Sequence, residues 1–281
     1  MRKILSYFAG VYHSPRHLLF HVLFLLTIGF LYLERNHEDA LYYNIIRATK
    51  ANHSDAEPDT VYIRKLMQTI HTMMFNRLAV FNNTEQLSIK NRLFHSVDED
   101  LMYGHGACGG FSKVLSRSLQ LSGYEVRIGQ MKVDGVFGGH IIVEVYLPDV
   151  KRWAVIDPLF LLTFPGADGA WAGFEEIKNN WPQYSRLVPA DYNKSFRYED
   201  VRYANWGKVP LAGSLIYKSL ELIVGKEKAQ SISIRPYLLN MYAVWLYVTF
   251  ALYLLFCVFS YRRFLRQSRK KTLAAESAAT S

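Results

Sequence analysis

Two long apolar runs frame the chain. The first, HLLFHVLFLLTIGFLYL at 17–33, holds no carboxylate, lysine or arginine and lies between Arg16 and Glu34. The second, YLLNMYAVWLYVTFALYLLFCVFS at 237–260, is 24 residues without a charge. At about 1.5 Å per residue a helix of that length reaches roughly 36 Å, enough to cross a hydrocarbon core of about 30 Å. Its tyrosines and Trp245 also suit anchoring at a membrane interface. The first run is short enough to be a cleaved signal peptide. Its weak small-x-small match, Thr27-Ile28-Gly29, interrupts the apolar run instead of following it, which favours an uncleaved anchor. Both runs are therefore read as transmembrane helices.

Between them the pattern changes from a period near 3.6 to one of 2. Residues 34–57 are polar and read as irregular, with NHSDAEPD as a linker or turn. Pro58 opens a helix to about residue 80, with Ile63, Leu66, Met67, Ile70, Met73 and Met74 at helical spacing. NNTEQLSIKNRLF at 82–94 is a second helix candidate, with Thr84 as its cap. Phe111, Val114, Leu115, Leu119 and Leu121 mark a helix of about 14 residues that starts at Cys108 and stops at Gly123. Three strands follow. YEVRIGQMKV (124–133) alternates, DGVFGG turns, HIIVEVYL (140–147) is β-branched, PDVKR turns, and WAVIDP (153–158) closes the series. The expected fold class is α+β: a helix bearing Cys108 packed on an antiparallel sheet, flanked by two membrane helices. LAGSLIYKSLELIVGKEKA, just before the second run, is an amphipathic helix that fits packing on the domain or on a membrane surface equally well.

Charge supplies the orientation. The formal charge is +9, and the segments 1–16 and 261–281 carry nine basic residues against one acid, Glu276. By the positive-inside rule both segments are cytoplasmic, the spans are 17–33 and 237–260, and the domain 34–236 lies outside the cytoplasm. The basic balance is thus topogenic, and no nucleic-acid footprint is left to explain. The exported domain contains a single cysteine, Cys108, because Cys257 falls within the second span. A lone thiol in an oxidising compartment is either a buried, inert hydrophobe or a reactive group. Gly104, Gly106, Gly109 and Gly110 offer it little apolar surface, which argues against burial.

Period 2 puts His140, Ile142, Glu144 and Tyr146 on one strand face, and Trp153, Val155 and Asp157 on one face of the next. A two-residue turn at Pro148-Asp149 sets His140 directly opposite Asp157; a four-residue turn makes them diagonal neighbours on the same face. Cys108 needs only its helix to pack against that face. A cysteine at a helix start, a strand histidine and an aspartate on the neighbouring strand are the parts of a nucleophilic triad. The helix N-terminus favours thiolate, the imidazole moves the proton, the carboxylate fixes its tautomer, and the Cys108 N–H can donate to an oxyanion.

The two segments that carry this chemistry resemble the transglutaminase-like superfamily, relatives of papain with the order Cys, His, Asp. In GACGGFSKVLSRSLQLSGYEVRI the matching positions are Gly106, Cys108, Gly123 and Arg127; in HIIVEVYLPDVKRWAVIDP they are His140, Glu144, Val145, Tyr146, Trp153, Asp157 and Pro158. Ile142 stands where the family often has tryptophan, which bears on substrate lining. The resemblance is tight over about residues 100–160 and loose elsewhere. It implies a papain-like core and a membrane-anchored cysteine acyltransferase, protease or amidase. Such an enzyme would form a thioester on a cell-envelope protein, a peptide or an amide-bearing polysaccharide, with no cofactor. Catalytic roles would fall to Cys108, His140 and Asp157. Arg127 and Glu144 read as structural partners, and His105 as a solvated loop residue. Tyr103 and His95 are both candidates for a second oxyanion donor. The aromatic segment FRYEDVRYANWGKVP (196–210) either walls a cleft or covers the sheet. No cysteine or histidine cluster has metal spacing, so the zinc-bearing glycanase branch is not supported. Asn52, Asn82 and Asn193 fit glycosylation acceptors in a eukaryotic host. The rival reading is a non-catalytic assembly module of an envelope complex that keeps the same fold.

Overall fold

The computed structural model describes residues 6–7, 10–11, 14–51, 53–54, 57–81, 97–103, 107–206 and 213–279. The chain divides into two compact units, Met1–His37 with Tyr242–Ser281, and Glu38–Met241. The first unit holds most of the apolar windows of helices α1 (Pro15–Lys50) and α10 (Met241–Ala279). Both helices are long and apolar enough to cross a membrane, and the protein buries only 11% and 6% of their apolar windows. Within this unit His21 Nδ1 pairs with the Tyr253 hydroxyl at 3.2 Å, and Phe24 stacks on Phe256 with ring centroids 5.7 Å apart.

Contrary to the sequence reading, residues 34–50 are helical. α1 continues to Lys50 because the stretch 34–50 contains no proline or glycine and carries its own apolar stripe. Tyr42, Ile45 and Ile46 are buried on that stripe, and Thr49 hydroxyl donates back to the Ile45 carbonyl. High polarity around these positions hid the period. α2 (Asp59–Phe81) buries Ile63, Leu66, Met67, Ile70 and Met74, as its spacing predicts. The helix expected over 82–94 lies outside the described residues. α3 (Val97–Tyr103) and α4 (Ala107–Leu121) follow. Lys113 of α4 pairs with Asp100 of α3 at 3.1 Å, and Arg117 of α4 with Asp39 of α1.

The sheet is antiparallel, in the order β4-β3-β2-β1-β5. It contains β1 (Val126–Val133), β2 (Val136–Leu147), β3 (Arg152–Asp157), β4 (Leu162–Thr163) and β5 (Val201–Arg202). The last two were not anticipated; two residues are too few to show a period. DGVFGG is not a six-residue turn: Val133 pairs with Val136 across Asp134 and Gly135, both at positive φ (48° and 82°). That is the geometry two-residue hairpins prefer. The remaining four residues belong to β2, which shifts register against β1 next to Met131. At that irregularity Gly138 has φ 97°, and a Cβ on Gly139 would lie 2.5 Å from the Val133 Cβ. Only glycine fits so close an approach.

Both sheet faces are covered. On one, Ile128, Ile141, Val143, Val145, Ala154 and Ile156 pack with Phe111, Val114, Leu115 and Leu119 of α4 and with α2. On the other, Met131, Ile142 and Val155 meet the segment after β3, which contributes Phe164, Phe174, Ile177, Tyr184, Tyr192 and Tyr198. Short helices α5 (Phe174–Asn179) and α6 (Trp181–Tyr184) lie in that segment; α7 (Gly213–Val224), α8 (Lys226–Ser231) and α9 (Arg235–Leu238) follow β5.

Arg127 and Glu144 are cross-strand partners, and Arg127 Nε donates to Glu144 Oε2 at 2.6 Å. The guanidinium lies between the rings of Trp153 and Tyr203, 4.3 and 4.1 Å from their centroids. The Glu144 side chain is 1% exposed, so it depends on that partner. Arg127→Ala should cost about 3–5 kcal/mol, because it leaves a buried carboxylate unpaired. Thermal unfolding of the full chain in lipid nanodiscs measures this; an unchanged melting temperature contradicts it.

Candidate active site

Cys108 lies in the first turn of α4, half-buried at the margin of the first core. Its helix forms because the apolar positions recur on one side, and it ends ahead of Gly123. Tyr124 N–H donates to the Leu119 carbonyl at 3.0 Å and Gly123 N–H to the Gln120 carbonyl at 3.1 Å, a double closure of the last turn. One turn beyond Cys108, Ser112 hydroxyl donates to the Ile141 carbonyl at 3.0 Å. β3 pairs with β2 only from Val143 onward, so Ile141 lies beyond that ladder. α4 supplies a partner there: the carbonyl takes the Ser112 hydroxyl, and the Cys108 thiol lies near enough to the Ile141 backbone for that backbone to favour the thiolate.

His140 and Asp157 are fully buried, and His140 Nε2 donates to Asp157 Oδ2 at 2.6 Å. Of the two turn lengths weighed, the four-residue one is found: Leu147 pairs with Arg152. Extrapolated one step past the Val143–Ile156 pair, that register sets Ile142 opposite Asp157 and makes His140 its diagonal neighbour. The other carboxylate oxygen, Asp157 Oδ1, accepts the Leu159 N–H at 3.2 Å. The expectation that α4 packs on the His140 face is corrected. α4 covers the opposite face, that of Ile141, Val143 and Val145, and Cys108 meets His140 at the end of the ladder. Helix packing uses the apolar residues of a strand, and on β2 the other face already carries Glu144 with Arg127 and the aromatic second core.

The imidazole is enclosed by rings. Phe196 stacks on it at 4.1 Å between centroids and 12° between planes, Tyr192 meets it edge-on at 6.2 Å, and Phe160 lies at 6.0 Å. Burial alone would lower the His140 pKa, but Asp157 and then Cys108 outweigh it and push it up to about 9. Burial raises the Cys108 thiol, while His140 and the Ile141 backbone outweigh burial and hold it below the ordinary thiol value. Nδ1 of His140 makes no hydrogen bond of ordinary geometry, although the thiol is near enough to shift the ring. Such contacts often tighten only when substrate binds. Burial, with the Asp157 carboxylate adding to it, also pushes the Tyr192 phenol up, so that ring stays neutral beside the pair.

Cys108, His140 and Asp157 are thus brought together. Arg127 and Glu144 pair with each other instead. His95, His105, Gly104 and Gly106 lie outside the described residues, as do Asn52 and Asn82 and the Tyr103 side chain; Asn193 is exposed. Within 196–210, Phe196 walls the site while Tyr198 covers the sheet in the second core. Phe160 and Tyr192 were missed, since single aromatics in irregular chain carry no period. His71 of α2 was also missed. Its Nδ1 hydrogen-bonds the Pro158 carbonyl at 3.0 Å, and its ring lies 5.4 Å from that of Phe111. That bracing of the strand end next to Asp157 is a long-range contact with no local signal. Among the described residues no group of three or more His, Cys, Asp or Glu is arranged to hold a metal ion. No family model, curated protein or solved structure matches the chain.

With the thiol value lowered and the imidazole value raised, thiolate and imidazolium coexist in the window between the two. Alkylation of Cys108 by a neutral electrophile should therefore begin its rise below the ordinary thiol range of about 8.5. His140→Ala should move that rise upward, because only the burial penalty remains strong. Rates against pH in a Cys257→Ser background test this; identical profiles with and without the imidazole contradict it.

Proposed function

We propose that the chain is a membrane-anchored thiol enzyme with a transglutaminase-like core, performing acyl transfer on an amide or ester of the cell envelope. The observation that carries the reading is the 2.6 Å His140–Asp157 hydrogen bond on a ring whose other nitrogen is left for a thiol held at a helix start. The Cys108 thiolate attacks the carbonyl carbon, and the Cys108 N–H in the first helical turn donates to the resulting oxyanion. The tetrahedral species collapses as His140 gives its proton to the leaving amine or alcohol, forming a thioester. Water or an acceptor amine then attacks that thioester while His140 removes its proton, and the thiolate leaves. Asp157 stabilises the imidazolium throughout and fixes which nitrogen faces sulfur. Nothing in this sequence calls for a cofactor. Hydrolysis and cross-linking share every step up to the thioester.

The two apolar helices and the basic residues flanking them support a two-span arrangement with both chain ends cytoplasmic and residues 34–236 in the extracytoplasmic space. A reporter active only in the cytoplasm should work when fused after Ser281 and fail when inserted near Asn52. The reverse pattern contradicts the arrangement and puts Cys108 in a reducing compartment.

Graded variants test catalysis. Cys108→Ser should abolish thioester formation, since the hydroxyl is a far weaker nucleophile in a site tuned for a thiolate. His140→Ala should be nearly as severe. Asp157→Asn should drop turnover by about 10⁴-fold or less, because an amide holds the ring but favours the wrong tautomer. Turnover and abundance are scored together on membranes. Wild-type function from well-expressed Cys108→Ser contradicts catalysis and leaves the assembly module.

A further inference from the structure

The amphipathic helix α7 does not bury its apolar stripe in the protein. Leu215 is 69% exposed, Leu222 88% and Ile223 78%, with Ile216 at 39%. At 100° per residue these four and Ser219 fall within one arc of about 120°. Gly213, Tyr217, Leu220, Glu221 and Val224, the buried and half-buried positions, fall on the other side, so the helix is covered on one face and turns an apolar face outward. Exposed apolar patches of this kind mark surfaces with a partner.

The chain itself restricts what that partner is. After α8, α9 returns to the globular unit: Gln120 Nε2 donates to the Pro236 carbonyl at 3.3 Å and Leu239 is buried in the first core. Asn240 alone then separates Leu239 from α10, the helix apolar enough to cross a membrane. Where α10 enters a bilayer, Leu239 lies within one residue of the point of entry. Tyr237 and Leu238 of α9 are also exposed just before the span, as are Lys218 on α7 and Lys226 and Lys228 on α8. An apolar stripe edged by long cationic side chains is the composition of a helix lying in the headgroup layer.

We propose that α7 lies in the interfacial layer of the bilayer that α10 enters, with Leu215, Ile216, Leu222 and Ile223 immersed among lipid headgroups and upper acyl chains. This inference rests on α10 spanning the membrane and is independent of the chemistry at Cys108.

The test uses the full chain in the Cys108→Ser, Cys257→Ser background, reconstituted in vesicles of phosphatidylethanolamine and phosphatidylglycerol. Single cysteines replace Leu222, Glu221, Asp149 or Leu254 and carry a nitroxide. Its accessibility is compared between oxygen, which concentrates in lipid, and a water-soluble nickel chelate. The expected result is oxygen over nickel at Leu222→Cys and Leu254→Cys, and nickel over oxygen at Asp149→Cys, with Glu221→Cys shielded from lipid. Nickel over oxygen at Leu222→Cys with a lipid-buried Leu254→Cys overturns the inference while leaving the span intact. Loss of both accessibilities at Leu222→Cys with dipolar broadening also overturns it, by showing a second copy on that face. Nickel over oxygen at Leu254→Cys removes the span and the inference together.

Discussion

The Ser112 hydroxyl holds the Ile141 carbonyl at the point where β3 stops pairing with β2. A peptide group left beyond a ladder must find partners, since an unmet buried donor or acceptor costs about 1–3 kcal/mol. Here Ser112 of α4 supplies one to the carbonyl, and that requirement sets how far along β2 the helix sits. Because His140 is the residue next to Ile141, the same contact brings the thiol to the imidazole. The apolar stripe of α4 only chooses the face; the Ile141 contact chooses the position along it.

The rest of the site adjusts what this contact creates. Glycine at 138 and 139 lets β2 shift register directly before His140. Asp157 is held by both oxygens, on the ring and on the Leu159 N–H. Phe196, Tyr192 and Phe160 shut water from the His140–Asp157 bond, and lower dielectric strengthens it. The same burial opposes charge on the ring, so the raised imidazole pKa depends on Asp157 and Cys108 together. Glu144, farther along β2, does a different job with Arg127 of β1: the guanidinium neutralises a carboxylate inside the sheet.

The local periods made much of this legible. α2, α4 and the three long strands follow from apolar spacing, and His140 with Asp157 follows from period 2 once the turn length is allowed two values. What escaped was non-local or short. The extension of α1 through Tyr42 to Lys50 was hidden by polar neighbours, and β4 and β5 are too brief to have a pattern. That α4 covers the Ile141 face instead of the His140 face depends on which side the segment 160–203 takes, and no period within α4 records that. Phe196 is legible only as part of an aromatic segment, and His71, far from the sheet in sequence, leaves no local signal of its contact with Pro158.

The central claim is that Cys108 and His140 share charge. It is tested most directly by following the His140 ring resonances through a pH titration of the reconstituted full chain, with histidine isotopically labelled and His140→Ala used for assignment. The imidazolium should persist to about pH 9, and Cys108→Ser should lower that midpoint, because the thiolate is one of the groups that raises it. A His140 midpoint near the ordinary value of about 6.5, the same with and without the thiol, would contradict a thiolate–imidazolium pair.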